Sequence, residues 1–318
     1  MLDRRRLARL PLLAPLIAAC RPVTVLDTLV PKDGQSVLAA ENLSYGPHSR
    51  QRFDIYVPTG EAAAGGPQPL LLFVYGGAWR SGRKSDYRFA GRAFAARGYV
   101  TAVADYRLAP EVHYPDFLVD CGQALAAFRA TAAGYGGDPS WTFLAGHSAG
   151  AYNAVMLALA PEIAEAAGYE QASISAVAGI AGPYDFLPLE IDSMSDAFGA
   201  ADDLRATQPV NRVAASAPPM ILLTGTADRE VVPGNADSLA AELLAAGVPV
   251  EVVRYAGVGH NGALMSIARP FRGHADILGD VDGFFTRVMA GAPPFEAARR
   301  NATRASRGSA SRPGRSAS

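Results

Sequence analysis

The stretch Trp141-Thr-Phe-Leu-Ala-Gly-His-Ser-Ala-Gly150 decides the fold, because an apolar run leads directly into the pattern Gly-x-Ser-x-Gly. The run predicts a buried strand, and the glycines flanking Ser148 indicate a turn too sharp for a Cβ atom at those two positions. The Ala- and Leu-rich residues 149–160 predict a helix whose N-terminus lies at the turn and favours negative charge. A serine on such a strand–turn–helix junction is a candidate nucleophile.

The size and charge of the chain limit what it can be. Its 318 residues are 49% hydrophobic and 19% charged, which is enough apolar material for one large core. Residues 1–19 hold four arginines and one acid, and residues 293–318 hold six arginines and one acid, so the remaining 19 basic and 28 acidic residues give the segment between them a net charge of −9. An acidic body argues against a nucleic-acid-binding surface, so we expect no nucleic-acid partner.

The N-terminus has the layout of an export signal. An arginine-rich start is followed by the apolar run 10–19, which is too short to span a bilayer. Ile17-Ala-Ala-Cys20 resembles a bacterial lipobox, in which the cysteine becomes the lipidated first residue of the mature protein. We therefore expect residues 1–19 to be a lipoprotein signal peptide and the protein to be exported and attached to a membrane through Cys20, on the periplasmic or outer face. The alternative is a cytoplasmic protein with an ordinary apolar N-terminus.

The rest of the chain alternates apolar strands with helical segments. Strands are predicted at 70–75, 99–106, 174–180, 220–224 and 250–255, with an edge-type antiparallel strand at 51–58, and helices at 86–97, 115–133, 235–246 and 276–289. This alternation predicts the α/β class, with a mostly parallel, doubly wound sheet and helices on both of its faces.

Breakers and composition divide the chain into segments. Residues 20–48 contain several helix breakers and are expected to be a linker and lead-in to a single domain at 49–292. Within that domain, residues 184–218 lack a strand pattern and are expected to form a small cap or lid over the sheet. Residues 293–318 have too few apolar side chains for a core and are expected to be a disordered basic tail.

Two further polar side chains stand where a buried strand gives way to a loop. Asp228 follows the strand at 220–224, and His260 lies in the glycine-rich loop after the strand at 250–255. Because sites of open α/β sheets gather at the carboxyl ends of strands, we expect both to approach Ser148. A serine hydroxyl needs a base to take its proton, and the base needs an acid to orient it. The expected roles are therefore nucleophile for Ser148, base for His260 and orienting acid for Asp228.

Two other residues are rivals for these roles. Asp185 follows the strand at 174–180 and is the alternative acid, and His147 directly precedes the candidate nucleophile. We expect His147 to be a packing residue, because its side chain should point away from that of Ser148. No metal and no cofactor are expected, since nucleophilic catalysis of this kind needs neither.

Backbone N–H groups must also bind the negative oxygen that develops during acyl transfer. Ala149, the residue after the nucleophile, is expected to supply one of them. The loop Tyr75-Gly-Gly-Ala-Trp79 directly follows a buried strand, and its paired glycines let the backbone approach a substrate closely. We expect Gly76, Gly77 and Ala78 to complete the oxyanion hole; the alternative is a simple tight turn.

Four motifs in order resemble a known family. They are Tyr75-Gly-Gly-Ala-Trp79, Asp105-Tyr-Arg-Leu-Ala-Pro-Glu111, Gly136-Gly-Asp-Pro139 and Gly146-His-Ser-Ala-Gly150. Over about residues 51–289 the chain thereby resembles the carboxylesterases related to hormone-sensitive lipase and the neighbouring kynurenine formamidase (arylformamidase) group. The resemblance implies an α/β-hydrolase fold, a Ser/Asp/His triad that needs no cofactor, and hydrolysis of small-molecule esters or aryl formamides.

One position departs from the pattern of the family. Its oxyanion loop usually begins with a histidine that braces the loop, whereas this chain has Tyr75, whose hydroxyl we expect to act as the brace. The main hypothesis is a serine hydrolase that cleaves small carboxylic esters through an acyl-enzyme. The alternatives are an arylformamidase-like amide hydrolase, toward which Trp79 in the loop points, and a catalytically inactive lipoprotein that uses the fold for binding.

Overall fold

Eight strands form a single sheet in residues 22–291, the part of the chain that this computed structural model describes. The expectations for residues 1–19, for Cys20 and for residues 293–318 lie outside this part. The strands are β1 (Ser36–Ser44), β2 (Arg52–Pro58), β3 (Gln68–Val74), β4 (Val100–Ala104), β5 (Gly137–His147), β6 (Ala176–Ile180), β7 (Met220–Gly225) and β8 (Val250–Tyr255).

The strand order along the sheet is β1-β2-β4-β3-β5-β6-β7-β8. Strand β2 pairs antiparallel with β1 and with β4, and every other neighbouring pair is parallel. The predicted α/β class with a mostly parallel, doubly wound sheet is confirmed. Parallel pairing brings the carboxyl ends of β3, β5, β7 and β8 to one edge, where the loops with the candidate site residues begin.

Helices cover both faces of this sheet. In the described part they are α1 (Pro22–Leu29), α2 (Arg88–Ala95), α3 (Asp116–Thr131), α4 (Ala149–Leu159), α5 (Pro161–Ala167), α6 (Asp192–Phe198), α7 (Gly234–Ala245), α8 (His260–Met265) and α9 (Ile277–Met289). Helices α2 and α9 contact each other and the sheet on one face, and α3, α4 and α5 pack together on the other. No helix among residues 22–291 has both the length and the apolar character needed to cross a membrane.

The central strands are almost entirely apolar because both of their faces are covered. Every residue of β4, β6 and β7 is buried, as is Leu70–Val74 of β3. A parallel sheet between two helical layers leaves no strand face for water, so these strands hold few polar residues, and Thr101 in β4 and Thr224 in β7 are buried with the rest. The stack of Phe143 in β5 on Phe285 in α9, with ring centroids 4.3 Å apart, is one of the contacts that join sheet and helix.

The N-terminal side of the sheet differs from the expectation in two ways. The sequence predicts a linker at 20–48, but helix α1 and strand β1 lie there. Strand β1 is mostly exposed, with Ser36 as its one buried residue, so it carries almost no hydrophobic pattern. The sequence also predicts an edge position for the strand at 51–58, whereas β2 lies between β1 and β4. In the sequence, β2 looks like an edge strand because the polar residue Asp54 interrupts its apolar residues. Asp54 is nevertheless buried, because it forms an ion pair with Lys84 inside the protein.

The segment 184–218 follows β6 and contains α6 and two short 3-10 turns, Arg205–Thr207 and Pro209–Asn211. An aromatic cluster, consisting of Trp79, Phe117, Tyr152, Phe186 and Phe198, packs this segment against the loop after β3. The rings of Trp79 and Phe198 meet edge to face with their centroids 4.7 Å apart. Arg80 and Asp196 add an ion pair at 3.3 Å. The segment is thus held at the same edge of the sheet as the candidate site.

A buried ion pair fixes the residues just beyond that loop. Lys84 Nζ lies 2.6 Å from Asp54 Oδ1 and 2.8 Å from Asn42 Oδ1, and the two charged side chains are 7% and 1% exposed. The Lys84 N–H also donates to Asp105 Oδ1 at 2.7 Å. Buried charges persist only where they are paired, so Lys84 ties the end of the loop to β1 and β2.

Substitution of Lys84 tests this anchor. In Lys84→Met the side chain keeps its length but loses its charge, so the buried Asp54 carboxylate keeps the hydrogen bond from the Asn42 N–H but has no ionic partner. We expect the free energy of unfolding to fall by about 3–5 kcal/mol. The double variant Lys84→Met/Asp54→Leu removes both charges and should recover most of that loss. Urea unfolding followed by circular dichroism measures both; a double variant no more stable than the single one would contradict the ion-pair account.

Candidate active site

Ser148 stands on the turn between β5 and α4 in a conformation that side chains rarely adopt. Its φ is 55° and its ψ is −126°, and such strain persists only where the surroundings impose it. A Cβ on Gly150 would lie 2.1 Å from the Val74 carbonyl oxygen, and one on Gly146 would lie 2.2 Å from the Gly150 carbonyl oxygen. The Ser148 N–H donates to the Ile180 carbonyl at 2.9 Å. Both glycines are therefore obligatory, because a side chain at position 150 would collide with β3 and one at position 146 would collide with the turn itself.

His260 joins two side chains from distant parts of the chain. Its Nε2 lies 2.9 Å from Ser148 Oγ, and its Nδ1 lies 2.8 Å from Asp228 Oδ2. His260 is the first residue of α8, after β8, and Asp228 follows β7. The structure thus brings all three residues of the predicted triad into one hydrogen-bonded row at the carboxyl edge of the sheet.

Asp228 is held as an acceptor by its own loop as well as by the imidazole. Its Oδ1 accepts the N–H groups of Glu230 at 3.0 Å and of Val231 at 2.9 Å. Burial alone raises the pKa of Asp228, but the hydrogen bonds from His260 and from these N–H groups outweigh it, so the pKa lies below its ordinary value. The carboxylate is therefore charged at neutral pH and holds a proton on His260 Nδ1.

The rival acid does not reach this row. The Asp185 side chain is exposed, and its N–H, together with that of Tyr184, donates to Asn235 Oδ1. Asn235 thereby fixes the backbone position at the start of the segment 184–218. Asp185 has no hydrogen bond to His260 among the contacts of residues 22–291.

His147 is buried directly beside His260. The two ring centroids are 4.8 Å apart, and His147 Nε2 lies 3.3 Å from the carbonyl oxygen of His260. Burial, with a smaller contribution from repulsion by His260, lowers the pKa of His147 to about 3. The side chain therefore packs as a neutral ring against the imidazole, and it makes no hydrogen bond to Ser148 Oγ within the described residues.

The loop after β3 approaches Ser148 closely. A Cβ on Gly76 would lie 2.9 Å from Ser148 Cβ and 2.7 Å from the His147 carbonyl oxygen. Gly77 has a φ of 135° and Ala78 a φ of 52°, so the chain turns through the left-handed region beside the serine. Within residues 22–291 the N–H groups of Gly77, Ala78 and Ala149 donate to no other group. The structure thus places Gly76 against Ser148 and leaves the N–H groups of the other predicted oxyanion-hole residues unused.

Tyr75 is braced through its hydroxyl, and sequence reasoning missed its main partner. The hydroxyl donates to Asp105 Oδ1 at 3.0 Å and accepts from Arg50 Nη2 at 2.7 Å. Asp105 belongs to one of the motifs noted in the sequence, but Arg50 lies 25 residues before Tyr75 in a connection without a pattern. No motif could have indicated it. Among the described residues, no three His, Cys, Asp or Glu side chains are grouped to hold a metal ion.

The fold and the arrangement of the site are of the α/β-hydrolase type. The model of the BD-FAE family matches residues 53–243, which is more than half of the sequence, and the chain belongs to that family. The resemblance to α/β-hydrolase carboxylesterases predicted from the four motifs is confirmed.

Individual relatives agree with this classification. The probable isoprenylcysteine alpha-carbonyl methylesterase ICMEL2 of Arabidopsis thaliana is 29% identical over 261 residues, which are 75% of this chain and 60% of the relative. Esterase LipC of Mycobacterium tuberculosis is 30% identical over 228 residues, 64% of this chain and 55% of the relative. The chain thus spans less than two thirds of the length of these relatives. A thermophilic esterase from Thermogutta terrifontis, solved with butyrate bound, shares the fold with a TM-score of 0.64 at 24% identity, over 80% of this chain and 96% of that one.

The low pKa of His147 makes the stability of the protein depend on pH. Below pH 6.5 the unfolded chain binds a proton at this imidazole, whereas the folded chain does not until near pH 3. The free energy of unfolding should therefore decrease as the pH falls through this window, by up to about 1.4 kcal/mol per pH unit from this group. Urea unfolding between pH 7 and pH 5 should show a shallower slope for His147→Gln than for the native protein. His274→Gln, at an exposed position, is the matched control; equal slopes for the native protein and His147→Gln would contradict the assignment.

Proposed function

We propose that this protein is a serine hydrolase that cleaves small carboxylic esters by two-step acyl transfer. The observation that carries the proposal is the position of one imidazole, with Nε2 at 2.9 Å from Ser148 Oγ and Nδ1 at 2.8 Å from Asp228 Oδ2. A hydroxyl, a base and an acid in this row are the parts that nucleophilic catalysis by serine requires. Membership of the BD-FAE family and the esterase names of the relatives support the ester as substrate class.

In the first step Ser148 Oγ attacks the carbonyl carbon of the ester while its proton passes to His260 Nε2. Asp228 keeps the other ring nitrogen protonated and stabilises the imidazolium. The intermediate then expels the alcohol, which takes the proton from Nε2, and the acyl group stays on the serine. Water then gives a proton to the same imidazole as it attacks the acyl-enzyme, and the resulting intermediate releases the carboxylic acid while Ser148 Oγ takes that proton back from Nε2.

The oxyanion of each tetrahedral intermediate accepts hydrogen bonds from Ala149 and from the Gly77–Ala78 segment in this proposal. Two features support it: these N–H groups are unused within residues 22–291, and Ala149 begins helix α4, whose N-terminus favours negative charge. Gly76 contributes by its small size, since a side chain there would collide with Ser148. Donors that are in place before the reaction act on the transition state without any cost of reorganisation.

Replacement of the nucleophile tests the mechanism directly. Ser148→Ala should reduce hydrolysis of p-nitrophenyl acetate and butyrate to background and abolish labelling by a fluorophosphonate probe, with an unchanged circular dichroism spectrum. Ser175→Ala, at another half-buried serine, is the matched control and should retain both. Full activity in Ser148→Ala would refute the mechanism. Faster cleavage of N-formylkynurenine than of either ester by the native enzyme would refute the ester assignment.

We also propose that the protein is exported and anchored to a membrane through a lipid on Cys20. The proposal is supported by the sequence Ile17-Ala-Ala-Cys20 after an apolar run that is too short to span a bilayer. In this proposal Cys20 alone attaches the enzyme to the membrane.

Fractionation of bacterial cells tests the anchor. Cys20→Ser in the full chain should move esterase activity from the membrane fraction to the soluble fraction, because the variant lacks the thiol that is proposed to carry the lipid. Cys121→Ser, which changes the buried free thiol, is the matched control and should leave the activity on the membrane. Retention of the Cys20→Ser protein in the membrane fraction would contradict lipid attachment.

A further inference from the structure

The loop from Tyr75 to Gly82 is held in an unfavourable conformation. Four of its residues, Gly77, Ala78, Trp79 and Gly82, have φ between 52° and 135°, and two of these carry a side chain. Each such side-chain-bearing residue costs about 1–3 kcal/mol, and the conformation survives only where surrounding contacts determine it. Hydrogen bonds from Arg80 and Ser81 to the Gly77 carbonyl close the turn from within, but they do not fix it relative to Ser148.

One guanidinium group fixes both ends of this loop. Arg50 Nη2 donates to the Tyr75 hydroxyl at 2.7 Å and to the Gly82 carbonyl at 2.8 Å. The two ends also touch each other, since a Cβ on Gly82 would lie 2.6 Å from Tyr75 Cε2. Arg50 lies in the connection between β1 and β2, outside the loop, so it ties the loop to the body of the sheet.

The same guanidinium group also fixes the neighbouring strand end. Arg50 Nε donates to the Tyr106 carbonyl at 2.7 Å, and the Tyr106 hydroxyl donates to the Tyr75 carbonyl at 3.0 Å. The Tyr75 carbonyl and the Gly76 N–H belong to one planar peptide group. The hydrogen bond from the Tyr106 hydroxyl therefore fixes the orientation of the first peptide group of the loop. The rings of Tyr75 and Tyr106 stack with their centroids 4.8 Å apart. A planar, rigid fork of donors suits three fixed acceptors better than a flexible ammonium group does.

We propose that Arg50 is a positioning residue for the oxyanion loop, and that it keeps the Gly77 and Ala78 N–H groups at hydrogen-bonding distance from the developing oxyanion. This inference rests on the proposed function, because it assigns Arg50 a part in the same acyl transfer. The N–H groups meet a full negative charge only in the transition state. Loss of Arg50 should therefore lower kcat and leave KM nearly unchanged, since substrate binding before the reaction needs little from these donors.

The test compares two arginines of equal exposure. The side chain of Arg50 is 26% exposed and that of Arg272 is 25% exposed. Arg272 also makes three hydrogen bonds, to both Asp33 carboxylate oxygens and to the Ile267 carbonyl, at a position that the proposed mechanism does not use. Arg272→Ala thus controls for the general loss of stability that follows from removal of a half-buried guanidinium group.

In the full-length protein with p-nitrophenyl acetate, Arg50→Ala should lower kcat by about 10²-fold at nearly constant KM, because a misplaced oxyanion donor costs about as much as a missing one. Its affinity for a trifluoromethyl ketone, which forms an oxyanion on the serine, should fall in parallel with kcat/KM. Arg50→Lys should recover part of kcat. Arg272→Ala should lower the melting temperature to a similar extent. Its kcat should stay within about twofold of the native value, which is a much smaller change than the loss of an oxyanion donor causes.

Several results would overturn the inference. They are a folded Arg50→Ala with native kcat, a rise in KM at constant kcat, unchanged affinity for the trifluoromethyl ketone, or an equal fall of kcat in Arg272→Ala. Failure of the proposed function looks different, because Ser148→Ala would then remain active. An inactive Ser148→Ala beside a fully active Arg50→Ala would refute only the role of Arg50.

Discussion

The contact between the serine turn and strand β3 is the constraint on which the site depends. The turn comes so close to the Val74 carbonyl that only glycine fits at position 150. That closeness forces Ser148 into its strained backbone conformation and directs its hydroxyl out of the sheet edge. The loop that leaves β3 one residue later must then pass directly over the serine. Ser148 and the loop after β3 are therefore neighbours because two parallel strands, β3 and β5, are neighbours.

The neighbouring histidines show how burial separates two identical side chains. His147 and His260 have their rings 4.8 Å apart, but only His260 reaches a carboxylate, through Nδ1. Burial keeps His147 neutral at neutral pH, so a proton that arrives on His260 meets no second charge beside it. The row of Ser148, His260 and Asp228 can thus change its charge state without disturbing the ring packed behind it.

The sequence was informative where one strand or one turn determines the outcome. Buried parallel strands are continuous apolar runs, so the sequence alone locates their ends on one edge of the sheet. Ser148, Asp228 and His260 follow from those ends. Strand β1 could not be found, because an exposed edge strand owes its existence to pairing with β2 rather than to a hydrophobic pattern. Arg50 and Lys84 could not be found either, since their partners are distant residues brought near only by the folded sheet.

The aromatic cluster around Trp79 has a mechanical consequence. Trp79 comes directly after Ala78. Its ring packs against Phe186 and Phe198 of the segment 184–218 and against Tyr152 of α4. Any movement of the segment 184–218 would therefore be passed through the Trp79 ring to the backbone beside Ala78. One tryptophan side chain thus couples the position of the segment 184–218 to the conformation of the loop after β3.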